Sequence, residues 1–225
     1  MTTRSDIDLK AAREALESSQ IDPLGAIASA ERILQTARDP ETRATARYAL
    51  GLAFRTEHKL EEAQRILQEA AEEARAAGLE TICGQALLSL SGAYAMAGRM
   101  VEAFSVAAEA QEYLEGGDLA AAQAQMATFL YYQDRHEEAV TAFDSALATI
   151  EQAGAMARLP LVLANRGAAL AALGRLVESQ ESFERAWEVV DHDAAQTGLI
   201  LSHLGWVAAL RGELPTALRW FERME

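Results

Sequence analysis

The chain has 225 residues, of which 50% are hydrophobic and 6% aromatic, with only four prolines and a formal net charge of −14. This composition is typical of helices that pack through small side chains and argues against an extensive β-sheet. A negative field repels phosphate backbones and anionic lipid head groups, so we expect neither a nucleic-acid partner nor a membrane partner. No apolar run approaches the ~18 residues that span a bilayer, the N-terminus lacks the apolar core of a secretory signal, and one cysteine fits a reducing compartment. We therefore predict a cytoplasmic protein.

The predicted elements are twelve α-helices. Asp22-Pro23 and Asp39-Pro40 place a capping carboxylate before a proline at the first helical position, and Asp193 with Gln196 forms a predicted capping box. These signals predict helices that begin near 23, 40 and 194. Three helices are predicted to end at the glycines that follow them, which are Gly78, the pair Gly116-Gly117 and Gly154. The predicted spans are, in chain order, 6–19, 23–38, 40–57, 59–77, 80–97, 99–115, 118–133, 135–153, 156–173, 175–191, 194–211 and 213–225.

A ten-residue segment recurs along the chain. The clear copies are HKLEEAQRIL (58–67), GRMVEAFSVA (98–107), DRHEEAVTAF (134–143), GRLVESQESF (174–183) and GELPTALRWF (212–221), and a fainter copy, IDPLGAIASA (21–30), precedes them. Their starts are spaced by 36 to 40 residues. A regular period of this length indicates a repeat architecture.

A second block begins nine residues before each clear copy. These blocks are ALGLAF (49–54), SLSGAY (89–94), QMATFL (125–130), NRGAAL (165–170) and HLGWVA (203–208). The third position of this block always holds a small residue: Gly51, Ser91, Ala127, Gly167 or Gly205. The sixth position of the ten-residue segment also holds a small residue: Ala63, Ala103, Ala139, Ser179 or Ala217. Small residues are expected where two helices approach closely. The residues between the blocks, His58, Gly98, Asp134, Gly174 and Gly212, suit a left-handed turn, so each repeat is predicted to be helix, tight turn, helix.

These columns resemble the tetratricopeptide repeat. The family pattern of small and large residues is matched at Gly51, Phe54, Ala63, Leu67 and Ala70, and again at Gly205, Gly212, Ala217 and Phe221, and the resemblance covers about residues 20–225. The period departs from the family's usual length of about 34 residues, and Arg166 occupies a column that is apolar in the other copies. The resemblance implies an all-α, right-handed superhelical solenoid of about six antiparallel helix hairpins.

We accordingly predict one repeat domain over 1–225. Its repeats are expected at about 6–38, 40–77, 80–115, 118–153, 156–191 and 194–225. Trp220 and Phe221 leave an apolar face on the last helix that no polar capping helix covers, which predicts either a continuation past Glu225 or self-association through this face. Arrays of this alanine-rich style resemble those attached in bacteria to effector domains.

Candidate reactive groups have simpler explanations. His58 and His136 occupy turn-side columns of the repeat, and the cluster Asp191-His192-Asp193 is made of chain neighbours, which rarely converge on one metal ion. Cys83 has no histidine placed by the repeat to activate it, and the glycines form no phosphate-binding loop. We predict no catalytic residue, no metal and no cofactor, and hence no enzyme.

The first helices of the hairpins are expected to line the inner face of the solenoid. This mapping predicts a partner-binding groove with an apolar and aromatic strip, consisting of Tyr48, Leu52, Arg55, Met96, Thr128, Tyr131, Tyr132 and Trp206. The lysines and asparagines with which some family members grip a C-terminal carboxylate are absent from these columns. The leading hypothesis is a module that binds a peptide or a partner helix. The alternatives are a structural or oligomerising spacer, a regulatory arm of a larger multidomain protein, and a strip whose residues merely pack against neighbouring helices.

Overall fold

The computed structural model describes residues 4–190 and 194–224, with only the backbone of 194–196. This part of the chain forms twelve α-helices, a short 3-10 turn at Met156–Arg158 and no strand. The helices are α1 (Arg4–Ser18), α2 (Pro23–Thr36), α3 (Pro40–Thr56), α4 (Leu60–Ala76), α5 (Glu80–Met96), α6 (Met100–Gln111), α7 (Gly116–Tyr132), α8 (His136–Ala153), α9 (Leu159–Ala172), α10 (Leu176–Val189), α11 (Ala194–Leu210) and α12 (Leu214–Glu222). The all-α prediction is confirmed, and consecutive helices pack in adjacent pairs.

The helices group into two compact units. Unit 1 comprises Met1–Leu114 and contains α1 to α6, and unit 2 comprises Glu115–Glu225 and contains α7 to α12. Each unit holds three helix pairs, which correspond to three of the six predicted repeats. The single continuous domain over 1–225 stays a prediction.

The tight turns inside the hairpins have the predicted backbone geometry. All five residues between the two sequence blocks have a positive φ: His58 (57°), Gly98 (75°), Asp134 (58°), Gly174 (73°) and Gly212 (79°). Glycine adopts this left-handed conformation readily, and the polar side chains of aspartate and histidine occur there more often than most. The prediction of a left-handed residue in this column is therefore confirmed, even at the two copies without glycine.

Two of the predicted helix starts carry the expected caps. Asp22 accepts a hydrogen bond from the Gly25 backbone N–H at 3.1 Å, and Asp39 accepts one from the Thr42 backbone N–H at 2.9 Å. Each carboxylate thereby satisfies one of the backbone donors that a helix leaves free at its start. The capping box predicted at Asp193 lies outside the described residues.

The connection between α6 and α7 differs from the prediction. The pair Gly116-Gly117 was expected to end a helix near 115, but α6 ends at Gln111, and Gly116, with φ of 55°, is the first residue of α7. The physical reason is a tertiary contact: Leu114 is buried, and its side chain occupies the space beside Gly84 of α5. The chain therefore leaves the helix early to bury this leucine.

Close approach of the paired helices explains the small columns. A Cβ atom added to Gly51 would lie 2.6 Å from the Leu67 side chain, and one added to Gly167 would lie 2.9 Å from the Phe183 ring. Gly205 has the same relation to Phe221. These three pairs of helices, α3 with α4, α9 with α10 and α11 with α12, thus interlock through a glycine on the first helix and a large residue on the second. The repeat register also holds at Arg166, whose neighbour Gly167 occupies its expected place.

Candidate protein-binding surfaces of the two units

The predicted groove residues differ in how much surface they offer to a partner. Tyr132, Met96 and Trp206 are exposed, with 73%, 48% and 48% of their surface accessible. Tyr48, Arg55, Thr128 and Tyr131 are partly buried. Leu52 is 5% exposed, because α3 packs against α1, α2, α4 and α5, and it serves the interior rather than a contact surface.

In unit 2 two of the predicted residues border one cavity. Its volume is about 420 Å³, and its lining, drawn from α7, α9, α11 and α12, consists of Tyr131, Ala168, Ala172, Ser202, His203, Trp206 and Phe221. We call it the Trp206 cavity. Thr128 and Tyr132 do not line it, although they belong to the same helix as Tyr131. The walls are mostly apolar, as in sites that accept hydrophobic groups.

The aromatic walls of the Trp206 cavity are held by packing on neighbouring helices. The ring of Phe221 lies against Gly205, which has no side chain to keep it away. His203 stacks on the buried Phe183 ring with centroids 4.9 Å apart, and its Nδ1 donates to the Leu199 carbonyl oxygen at 2.8 Å. The Tyr131 ring contacts the rings of Tyr132 and His136, at centroid distances of 5.6 and 5.2 Å. A cavity built on such contacts keeps its shape before a ligand arrives.

In unit 1 the predicted residues Tyr48 and Arg55 meet around Ser89. The Ser89 hydroxyl donates to the Tyr48 hydroxyl oxygen at 3.3 Å, and Arg55 Nη1 donates to the Ser89 carbonyl oxygen at 3.4 Å. Tyr48 and Arg55 are seven residues apart on α3, as Ser89 and Met96 are on α5, so each pair shares one helix face. We call the surface formed by Tyr48, Arg55, Ser89 and Met96 the arginine patch.

The guanidinium of Arg55 is poorly solvated. Its burial lowers its pKa, an effect that the nearby Tyr48 hydroxyl partly offsets. An arginine remains protonated at neutral pH even so, and the charge is therefore held in a partly dry place.

Several lining residues were missed by the sequence analysis. Ser89 lies one heptad before Met96, and Ser202 and His203 lie one helical turn before Trp206, so helical spacing from the aromatic and apolar positions would have found them. Ala168 and Ala172 gave no such signal, because a cavity wall made of methyl groups has the same composition as a packed interior. Phe221, for which self-association stays a prediction, also lines the Trp206 cavity and is 41% exposed.

Groups suited to chemistry are sparse in the described residues. Across 4–190 and 194–224, no three histidine, cysteine, aspartate or glutamate side chains cluster so as to hold a metal ion. The cluster Asp191-His192-Asp193 lies outside these ranges. Cys83 is buried, and burial raises the pKa of its thiol, which suppresses the reactive thiolate. In the same part of the chain, the helices are each too short or too polar to cross a bilayer.

Comparisons with known proteins connect this geometry to a fold. No protein-family model and no curated protein sequence matches the chain. Solved structures do match it. BtubC (BKLC) from P. vanneervenii has a TM-score of 0.77 at 19% identity, with 93% of this chain and 89% of BtubC covered. The apo form of RapI has a TM-score of 0.76 at 16% identity, with 99% of this chain covered, and the chain spans 65% of RapI.

A third match names the repeat type. The nearly identical TPR-like repeats of a kinesin light chain from Podosopora anserina have a TM-score of 0.63 at 17% identity, with 84% of this chain and 97% of that chain covered. Identities this low inform on the fold alone. In fold, the chain is a tetratricopeptide-like repeat protein.

Proposed function

We propose that this protein is a non-catalytic protein–protein interaction module that binds a peptide or partner helix through the first helices of its hairpins. The observation that carries the proposal is the Trp206 cavity, a preformed apolar recess with an exposed tryptophan at its edge. Tryptophan and tyrosine are among the residues that contribute most to binding energy at protein interfaces. A bulky apolar side chain of the partner fits the volume and the lining.

The polar groups of the cavity suit a backbone passing across it. Ser202 and His203 lie on the same wall as Trp206 and offer hydrogen-bonding groups beside the apolar surface. Helical peptides bind grooves through apolar side chains at intervals of three or four residues, and extended peptides bind through their main chain as well. We therefore expect one deep apolar anchor in the partner, flanked by residues that contribute little.

The test is a selection of random peptides on the purified protein, followed by affinity measurements on variants. Trp206→Ala removes a wall of the cavity, and Ala172→Phe fills the cavity from an exposed position of α9. We expect each change to weaken the selected peptides about tenfold or more, the effect of losing one hot-spot contact. Leu161→Ala is the matched control, because Leu161 is an exposed apolar residue of the same helix α9 and does not line the cavity.

Circular dichroism of each variant separates lost binding from lost structure. Peptides that bind both cavity variants with the affinity of the unmodified protein, while the helix content is unchanged, would rule out this surface. Equal weakening by Leu161→Ala would also count against it.

A second candidate function, self-association, is favoured by the exposed face of α12. Leu214 and Leu218 are 62% and 61% exposed, and together with Phe221 they form a stripe at helical spacing. Trp220 is more enclosed, since it packs edge-on against Trp187 with ring centroids 6.4 Å apart. In this alternative the protein is an oligomerising spacer. Light scattering over a wide concentration range tests it: we expect association that Leu218→Glu abolishes, and a monomer at all concentrations would exclude it.

A further inference from the structure

Two arginines of α3 stand in contrasting surroundings. Arg47 and Arg55 are both partly buried and lie eight residues apart on one helix. Arg47 pairs with Glu69 at 3.3 Å and with Glu73. Arg55 donates to the Ser89 carbonyl oxygen and lies near the Tyr48 hydroxyl, and no carboxylate of the described residues comes within ion-pair distance of it.

The missing counter-charge sets Arg55 apart from other partly buried arginines of the chain. It contains 34 acidic residues against 20 lysines and arginines, and partly buried Arg43, Arg47 and Arg166 each pair with a carboxylate. A charge taken out of water without a counter-ion is costly to the folded state. Charged groups that are buried at a cost in folding free energy are concentrated at functional sites, where a ligand can provide the missing counter-charge.

We propose that the arginine patch binds the carboxylate of an aspartate or glutamate side chain from a protein partner. The guanidinium of Arg55 presents parallel N–H donors that match the two oxygens of a carboxylate. The acidic group would meet a positive charge that is already partly desolvated, which strengthens the attraction relative to an exposed arginine. That the partner is a protein rests on the proposed function.

The surroundings of Arg55 favour a side chain over a chain terminus. Arg55 contacts α5 at Ser89, and exposed Met96 lies two helical turns further along the same face of α5. The patch therefore has an apolar side chain beyond the residue that Arg55 contacts. A partner segment that continues across Met96 gains apolar contact there. A segment that ended at Arg55 would leave this surface uncovered.

The first test needs no partner. In Arg55→Met the alkyl stem is retained and the uncompensated charge is removed, so we expect a melting temperature equal to or above that of the unmodified protein. Arg47→Met is the matched control on the same helix, and it should melt at a lower temperature because Glu69 and Glu73 lose their partner. A structural role for Arg55 predicts the opposite, and a drop in Arg55→Met as large as in Arg47→Met would overturn the proposal.

The second test is a double-mutant cycle with the peptides selected on the unmodified protein. We expect these peptides to be enriched in one acidic position, and both its change to the amide and Arg55→Met to weaken binding at least about tenfold, with little further loss when the two are combined. The same cycle with Arg47→Met should show independent effects. Each peptide is measured with a free and with an amidated carboxyl terminus, so that the effect of a terminal carboxylate is separated from that of the side chain.

The outcomes separate this inference from the proposed function. Peptides that depend on Trp206 but bind Arg55→Met unchanged would overturn the acidic-partner inference and leave the interaction module standing. Acidic peptides that depend on Arg55 but tolerate both cavity variants would support the acidic-partner inference and rule out the Trp206 cavity as the binding surface of the proposed function. Affinity that is lost on amidating the terminus, rather than on neutralising a side chain, would also overturn the inference.

Discussion

The two units use the same helix hairpin and present different chemistry on it. In unit 1 the face formed by α3 and α5 carries the arginine patch, with a hydroxyl pair and a partly buried cation. In unit 2 the face formed by α7, α9 and α11 carries an apolar cavity bounded by Tyr131 and Trp206. The same hairpin therefore carries a charged and hydroxyl-bearing surface in unit 1 and an apolar recess in unit 2.

One interior contact, by contrast, is shared by the two units. Gly51 receives Leu67 in unit 1, and Gly167 receives Phe183 in unit 2, so a small residue faces a large one in both. Unit 2 uses phenylalanine where unit 1 uses leucine. The hairpin thus fixes the complementarity of the pair rather than the identity of either residue.

The largest effect expected from breaking this complementarity is at Gly167. In Gly167→Leu a side chain must enter space that the buried Phe183 ring already fills, so we expect a loss in free energy of unfolding on the order of 3 kcal/mol. Chemical denaturation measures it. Gly51→Leu should cost a similar amount in unit 1, and a neutral result at either site would show that this complementarity does not hold there.

The next effect concerns a cap that unit 1 has and the equivalent helix of unit 2 lacks. Asp39 caps α3, whereas α9 begins without a side-chain cap. At neutral pH we expect Asp39→Ala to lower the free energy of unfolding by about 1 kcal/mol. Thermal denaturation of the two proteins measures the difference.

The same cap gives a pH dependence of defined sign. The hydrogen bond from the Thr42 backbone N–H, with a second one from its hydroxyl, lowers the pKa of Asp39. Because the folded-state pKa lies below the unfolded one, the ionic part of the stabilisation is complete above pH ~4 and is lost as the pH falls through the folded-state pKa. Asp39→Asn, which accepts the same bonds without a charge, should lack this dependence, and equal acid profiles would contradict the assignment.

A smaller effect sharpens the contrast between paired and unpaired arginines. Arg166 of unit 2 pairs with Asp144 at 2.6 Å, with 21% of its side chain exposed. We expect Arg166→Met to lower the free energy of unfolding by roughly 0.5–1 kcal/mol, since a partly exposed ion pair contributes modestly. Urea denaturation of Arg166→Met and of Arg55→Met measures the change in free energy of unfolding for each variant. Equal changes would show that the paired and the unpaired arginine do not differ in their contribution to stability.

The smallest effect is a gain. Gly198 lies inside α11 with nothing within 4 Å of the place a Cβ would take. We expect Gly198→Ala to raise the free energy of unfolding by about 0.5 kcal/mol, because alanine loses less backbone entropy in a helix. Differential scanning calorimetry resolves such a shift. A lower free energy of unfolding for Gly198→Ala would show that the space around Gly198 does not make it more tolerant of a side chain than Gly167.

The sequence predicts the hairpins well because their signals are local. His58 and Asp134 were recognised as left-handed residues from their place between two blocks, and the structure confirms both. The early end of α6 was not predictable in this way, since it depends on Leu114 reaching Gly84, thirty residues earlier in the chain. Burial of Leu52 was missed for the same reason: periodicity indicates that a helix has an apolar face but not how many neighbours surround it.

The candidate surfaces were predictable only in part. Tyr131 and Trp206 were placed on one face from the columns of the repeat, and the structure brings them to one cavity. The lack of a counter-ion at Arg55 could not be read from a chain with many glutamates, because pairing depends on which carboxylates the fold brings within reach.

One buried side chain offers a way to watch unit 1 move. Cys83 is the only cysteine of the chain and is fully enclosed within α5. An alkylating reagent can modify its thiol only while the helix is transiently displaced, because burial shields the sulfur and keeps it protonated. The labelling rate in native buffer therefore reports how often this part of the chain opens, without any engineered probe. A bound partner that holds α3 and α5 together would slow the rate in proportion to its occupancy.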